Sequence, residues 1–388
     1  MSTRISRRKL IQSTGAAGVA AMSPRTMTAA TMPAPRFEGK DTPKICLEAS
    51  LPGNGPPPEN VDEAVAAAAR RIKQLGVDYV IGGMRGPIPW TEEALKTAMD
   101  RYKAHGLTIG NIMIAGFNNA IYARPGRDEE IDKVIQSIKA AGKAGLPVVE
   151  YNWYAHRAME GYFEEKGRAG VGWTGFDYER PYEVDGKQVP FKDLPPLERE
   201  GAHTLDEMWA NITYFLKAVV PVAEQAGVRL ALHPNDPPAP VSRGSQQIMG
   251  TVEGWKKLIE IVKSPSNGIT FDCGVTKEMG QDPVEVCHYF GSRDRINHVH
   301  FRNVKVRKPY ERYSEVFIDE GENNMFAVMR ELVKLKYPRL IYPEHPRGLD
   351  YDRERPNFRP QYPGGGGYSA YAFNVGYARA MMQAALSV

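Results

Sequence analysis

Eight apolar, strand-like runs, each followed by a stretch with helical spacing of its apolar residues, predict an α/β fold of the (β/α)8 TIM-barrel type. Two further observations point the same way. After the first strand, LEASLPGNGPPPEN supplies turn residues and three consecutive prolines where an open doubly wound sheet would carry a GxGxxG fingerprint. Polar residues able to bind a metal also recur at the ends of four successive strands, the edge at which a parallel barrel builds its active site. At 388 residues the chain is long enough for one such domain, about 250 to 350 residues, plus appendages.

In chain order, residues 1–36 come first. Ser6, Arg7, Arg8, Lys9 and Leu10, then IQSTGAAGVAAM and a Ser/Thr/Ala/Pro-rich tract, resemble a twin-arginine export signal. That predicts a periplasmic or otherwise exported protein, or a cytoplasmic one if the signal does not function. A single catalytic barrel is expected over residues 42–388. Its strands are KICLEAS from Lys44, DYVIGG from Asp78, LTIGNIMIAG from Leu107 and PVVEYNW from Pro147, then RLALHP, GITFDCG, NHVHFR and IYPEHP. Between them, segments such as VDEAVAAAARRIKQLG and LDEMWANITYFLKAVVPVAEQAG place apolar residues three and four apart, as a helix packed on a sheet requires.

Helix punctuation is also legible. Asp282, Pro283 and Glu285 read as N-cap, first-turn proline and capping-box acid, and Gly76, Gly106, Gly145 and Gly227 stand where helices should stop. Residues 154–203, rich in Gly, Glu, Arg and aromatics, interrupt the alternation after the fourth strand. On the catalytic face of a barrel this is expected to be a lid or substrate-binding insertion. The GGGG run at 364–367 predicts a second, flexible loop.

Composition excludes several classes. The net charge of +4 comes from 50 basic and 46 acidic residues spread along the chain, without the basic stripe that nucleic acid needs. Three cysteines, Cys46, Cys273 and Cys287, are too few for a disulfide scaffold and have no CxxC spacing. No apolar run approaches the roughly 20 residues of a membrane span.

The chemistry sits at the strand ends. His233, Asp272, His300 and Glu344 close the fifth to eighth strands. One such histidine is as readily a hydrogen-bonded core residue; two imidazoles and two carboxylates on neighbouring strands make a divalent-metal site. Asp272 and Cys273 are adjacent and face opposite ways. Asp272 shares its face with Thr270, whereas Cys273 shares one with Phe271 and is expected behind the strand. The mixed N/O set suits Mn²⁺, with Fe²⁺, Co²⁺, Mg²⁺ or Zn²⁺ as alternatives. His298 faces the same way as His300, either orienting it, lining the pocket or filling the core. Asn235, Asp236, Arg302, Asn303 and Arg347 complete a polar cleft suited to a polyhydroxylated anion such as a sugar acid, although both arginines could instead be surface residues.

The stretches NITYFLKAVVPVAEQAGVRLALHPNDPPAPV, NGITFDCG, RINHVHFRNV, PEHPRG and GGYSAY resemble the mannonate dehydratase family, most continuously over about residues 205 to 305. The resemblance implies a xylose-isomerase-like barrel, a Mn²⁺-type ion and dehydration of D-mannonate to 2-keto-3-deoxy-D-gluconate in hexuronate breakdown. It maps the metal ligands onto His233, Asp272, His300 and Glu344, and an acid/base pair onto His345 and Tyr368. Family members also commonly self-associate. Typical members carry Cys at the Asp272 position and Asp at the Glu344 position, so this chain has the harder ligand set. A rival reading is a metal-dependent isomerase, epimerase or lyase acting on a neutral or keto sugar, and a third is a non-catalytic sugar-binding barrel.

Overall fold

The computed structural model describes residues 38–50 and 60–387; the export-type segment predicted at residues 1–36 lies outside them. Eight parallel strands close on themselves: β1 (Lys44–Glu48), β2 (Tyr79–Gly82), β3 (Thr108–Ile114), β4 (Val148–Tyr151), β5 (Arg229–Leu232), β6 (Asn267–Asp272), β7 (Ile296–His300) and β8 (Leu340–Tyr342). Neighbours in the barrel are neighbours in the chain, and β8 returns to β1 through Lys44↔Leu340 and Ile45↔Ile341. Each of the eight predicted runs supplies one strand. Among the described residues, no helix is long and apolar enough to cross a membrane.

The outer layer consists of α1 (Val61–Gln74), α2 (Glu92–Lys103), α3 (Arg127–Ala144), α4 (Leu205–Ala226), α5 (Val252–Ile261), α6 (Pro283–Gly291), α7 (Met325–Lys334) and α8 (Tyr368–Ser387). Helix α4 shows why they form and where they pack. Met208, Trp209, Ile212, Phe215, Leu216, Val219, Val220 and Ala223 make one buried stripe at three- and four-residue steps. Its first turn is fixed by a reciprocal capping box between Thr204 and Glu207, and it stops at Gly227, whose φ of 68° suits glycine. Asp282 caps α6 through the Val284 amide, with Pro283 in the first turn; it does so at the second amide and without the reciprocal bond seen on α4 among the described residues.

The insertion is more ordered than a loop. Its strands Tyr162–Lys166 and Gly172–Asp177 join a hairpin that follows β7, Asn303–Lys308 and Arg312–Val316, in a four-stranded antiparallel sheet. Phe176 is the keystone of a separate small core: it stacks on Tyr313 at 5.0 Å and meets Tyr162 and Phe191 edge-on. The post-β7 hairpin was not foreseen, because β7 runs into it with only Phe301 and Arg302 between.

The glycine run at 364–367 corrects a second expectation. It is not a flexible tether but a close passage of backbone, since a β-carbon at Gly364 would collide with the Trp173 carbonyl and one at Gly366 with that of Arg347. Bridges Gly172↔Gly348 and Arg347↔Gly365 hold the insertion and the post-β8 segment together there.

Because the small core supports the sheet that roofs the barrel mouth, Phe176→Ala should cost about 3 to 5 kcal/mol locally. Hydrogen exchange should show amides of residues 162–177 and 303–316 losing protection while β1–β8 keep theirs; uniform loss over the whole chain would show that the sheet has no core of its own.

Candidate metal centre and active site

Four strand ends converge. His233 follows β5, Asp272 and His300 end β6 and β7 as cross-strand partners, and Glu344 lies two residues beyond β8. His233 Nε2 is 3.1 Å from His300 Nδ1, which is itself 3.1 Å from Glu344 Oε1 and 3.8 Å from Asp272 Oδ2. All four side chains are buried. His233 Nδ1 donates to the Pro234 carbonyl at 2.8 Å, which fixes the tautomer and leaves Nε2 as a bare lone pair aimed at the cluster. On the far side of the His300 ring, Nε2 lies 3.7 Å from Glu150 Oε1, a carboxylate placed to orient it.

These residues fit a divalent cation. Ligand atoms of His233, Asp272 and His300 lie within 4.8 Å of one another, and buried Glu344 Oε1 has no well-aligned hydrogen-bond donor. The charges call for one as well. Burial alone would lower the His300 pKa, but Glu344, Glu150 and Asp272 outweigh it and lift it to about 9, while burial and His300 push His233 down to about 3. The carboxylates thus draw one proton into the cluster, at the place a metal ion would fill. Cys273 takes no part: its thiol donates to the His300 and Arg302 carbonyls behind the strand.

Arg302 is not the free carboxylate clamp its position suggested. Its fully buried guanidinium lies 3.1 Å from Asp272, 3.1 Å from Glu344, 3.2 Å from Asp236, 2.6 Å from Glu278 and 3.7 Å from Glu315. Nε and Nη1 donate to protein carboxylates and Nη2 lies against Asp236 without an aligned hydrogen bond, so the side chain is set to position ligands. Arg347 is likewise internal, donating to Thr174 Oγ1 at 2.7 Å, Glu315 Oε2 at 2.9 Å and the His345 carbonyl at 2.8 Å. Asn303 binds the Ile318 and Asn323 carbonyls, and Asn235 accepts from the Met249 amide, so both shape loops rather than the cavity. His298 packs fully buried beside His300 with neither ring nitrogen hydrogen-bonded.

Of the two residues expected as an acid/base pair, the structure brings one to the metal cluster. His345 Nδ1 pairs with Glu315 Oε2 at 2.7 Å and its Nε2 is 3.5 Å from Glu344 Oε2. Its φ of 47° is a left-handed conformation that costs on the order of 1 kcal/mol for a residue with a β-carbon, strain held by the Arg347–Glu315 clamp behind it. Tyr368 is elsewhere: it opens α8, and its hydroxyl donates to the Arg71 carbonyl on α1 at 3.0 Å.

A cavity of about 590 Å³ opens onto the cluster, lined by His233, Asp236, His300, Glu344 and His345 together with Glu48, Glu150, Tyr154 and Arg157. The last four were not singled out in the sequence. Glu150 is a carboxylate in an otherwise apolar strand, which is signal enough; it accepts from Thr270 Oγ1 and Asn111 Nδ2, both at 2.7 Å. Glu315 gave no such signal, since it arrives on the unforeseen hairpin. Arg157 belongs to the insertion, anchored by Nε to the Asp236 carbonyl at 3.0 Å and otherwise open to the cavity.

Next to Arg157, His156 ties the two ends of the insertion together. Its Nδ1 meets Glu200 Oε2 at 2.6 Å and its Nε2 meets Glu160 Oε1 at 3.1 Å, while Arg243 reaches the same Glu160 oxygen at 2.6 Å. Burial alone would depress this imidazole, but the hydrogen bonds and charges of Glu160 and Glu200 outweigh it and hold its pKa above 6.5.

Comparison with known proteins agrees with this geometry. The family model of D-mannonate dehydratase (UxuA) matches residues 63–385. The mannonate dehydratase of Thermotoga petrophila is 28% identical over 331 residues, covering 74% of this chain and 88% of the relative; that of Enterococcus faecalis is 28% identical over 330 residues, covering 76% and 89%. The crystal structure of mannonate dehydratase from Streptococcus suis serotype 2 superposes with a TM-score of 0.73 at 24% identity, covering 89% of this chain and 95% of that one. A structure of L-ribulose 3-epimerase shares the fold at a TM-score of 0.53 and 13% identity, covering 89% and 96%.

Because the folded-state pKa of His156 is raised, its contribution to stability is complete below about pH 6.5 and fades as the pH climbs through the folded value. Urea melts of the wild type against His156→Gln should therefore show an advantage that shrinks between about pH 6 and pH 9. An advantage independent of pH over that range would mean that the imidazole is held as a neutral hydrogen-bonding group.

Proposed function

The chain belongs to the mannonate dehydratase family, and on that premise we propose that it is a metal-dependent lyase removing water from D-mannonate to give 2-keto-3-deoxy-D-gluconate. The observation that carries the reading is the convergence of His233, Asp272, His300 and Glu344 beside the His345–Glu315 pair on one cavity. Those four residues would hold the ion, and the nitrogen and carboxylate donors favour Mn²⁺ over the softer choices among Fe²⁺, Co²⁺, Mg²⁺ and Zn²⁺. Bound there, it would supply Lewis acidity toward the negative charge that develops next to the substrate carboxylate as the C2 proton leaves.

The chain's own residues do the rest. Arg157, steered by the Asp236 carbonyl, and Arg85 both bring a guanidinium to this cavity, and Arg157 is the one that also lines the insertion side of the site beside Glu344 and His345; a guanidinium there favours a sugar acid over a neutral keto sugar. Glu315 holds Nδ1 of His345 and keeps the ring protonated: burial opposes this, but the charges of Glu315 and Glu344 raise its pKa above 6.5. An imidazolium so placed donates its proton to the departing C3 hydroxyl. Tyr154, hydrogen-bonded to the Pro234 carbonyl at 3.1 Å, and the insertion behind it close the cavity on that side.

Protein loaded with Mn²⁺ should convert D-mannonate to 2-keto-3-deoxygluconate, and Glu344→Ala should lose turnover by about 10³-fold or more. Absence of turnover with the ion demonstrably bound, together with conversion of a neutral keto sugar, would transfer the assignment to an isomerase or epimerase. Arg157→Ala should raise KM for mannonate by about 10- to 100-fold, the worth of one charge-assisted hydrogen-bonding pair. A KM unchanged by that substitution would remove Arg157 as the carboxylate contact.

A further inference from the structure

The dehydration proposed above needs a base for the C2 proton as well as an acid for the C3 hydroxyl, and Tyr368 is engaged on α1. Glu48 is the last residue of β1 and shares its strand face with Cys46, two residues earlier. Glu48 lines the same cavity as Glu150, His233, His300 and Glu344, which places this face on the inside of the barrel. Glu48 therefore projects into the barrel mouth. Strand β1 is hydrogen-bonded to β8, so Glu48 stands beside the strand that leads to Glu344 and His345.

Two cavities meet at this point. The main one, about 590 Å³, and a side cavity of about 230 Å³ are both lined by Glu48, Arg157, Tyr342, Glu344 and His345. A substrate reaching His345 thus also reaches Glu48. The remaining carboxylates of the site are spoken for: Asp236, Asp272, Glu278, Glu315 and Glu344 surround Arg302, and Glu150 accepts two hydrogen bonds. Among the described residues Glu48 forms no ion pair; its partner is the neutral side chain of Gln361. Desolvation raises its pKa above 4.5, which strengthens it as a proton acceptor.

Resting on the dehydratase reading, we propose that Glu48 is the catalytic base that takes the C2 proton, with His345 as the acid across the same cavity. The C2–H electron pair becomes the C2=C3 double bond as the C3–O bond breaks. His345 protonates the departing oxygen, which leaves as water. Ketonisation of the enol moves one proton from the C2 hydroxyl to C3, and the Glu48 carboxyl then returns its proton to the neutral imidazole through water, restoring both groups.

The test uses full-length Mn²⁺-loaded enzyme and two substrates, D-mannonate and 3-deoxy-3-fluoro-D-mannonate, whose fluoride leaves without needing a proton. Glu48→Gln should lower kcat on mannonate about 10²- to 10⁴-fold with KM within about threefold, and should stay impaired on the fluoro analogue. His345→Gln should recover on that analogue. Glu48→Ala, the second variant should Glu48→Gln fold poorly, should regain turnover with added formate. An active wild type with Glu48→Gln within about threefold of it overturns the proposal alone. Recovery of Glu48→Gln on the fluoro analogue also overturns it, since Glu48 would then be an acid, as does a folded Glu48→Ala that formate leaves unchanged. A wild type inactive on mannonate with its ion bound overturns the dehydratase reading and this assignment with it.

Discussion

Five carboxylates from five different segments lie within 4 Å of the Arg302 guanidinium: Asp236 after β5, Asp272 on β6, Glu278 at the end of the short helix Cys273–Glu278 after it, Glu315 on the post-β7 hairpin and Glu344 after β8. Without a buried cation, that much like charge in a desolvated barrel mouth would protonate or push apart. Arg302 opposes both, although burial still raises the Glu278 carboxyl well above its ordinary value. Burial pushes the Asp272 carboxyl up, and Arg302 is the strongest influence in the opposite direction, leaving it at about 6. Burial also opposes ionisation of Glu344, yet His300, His345 and Arg302 hold its pKa well below 4.5. The carboxylates of the ligand set, Asp272 and Glu344, share this one side chain, while Arg347 holds the Glu315 that orients His345.

One residue thus does for the site what a close-packed core does for the barrel. Glu344 is long enough for one carboxylate oxygen to face His300 and Arg302 and the other His345. With Asp272 it gives the cluster two oxygen donors beside two imidazoles, a hard-to-borderline ligand set.

Much of this was legible in the sequence, and the failures have physical causes. The eight strands read clearly because parallel barrel strands are buried on both faces and appear as apolar runs ended by a polar residue, as at His233, Asp272 and His300. The same rule misplaced Arg302, Asn303 and Arg347, since a polar residue beyond a strand end can turn inward to satisfy buried partners as readily as it can meet a ligand. Glu315 was missed because its importance comes from a hairpin that packs on a strand pair 140 residues earlier in the chain, a contact no local pattern records. Tyr368 was assigned by motif, and the chain folds it onto α1 instead. Glu48 carried the same strand-end signature at the close of β1 and was passed over, whereas Arg157 carried none, because its meaning lies in the cavity it lines.

His233, Asp272, His300 and Glu344 would together hold one divalent ion, stabilised from behind by Arg302. The most direct measurement is anomalous X-ray diffraction from Mn²⁺-soaked crystals above and below the manganese edge. A single peak is expected about 2.0 to 2.3 Å from His233 Nε2, His300 Nδ1 and an oxygen of each carboxylate, with Arg302 still on Asp272 and Glu278. A peak seated instead among Asp236, Glu315 and His345, or among Glu150, His298 and His300, would contradict it.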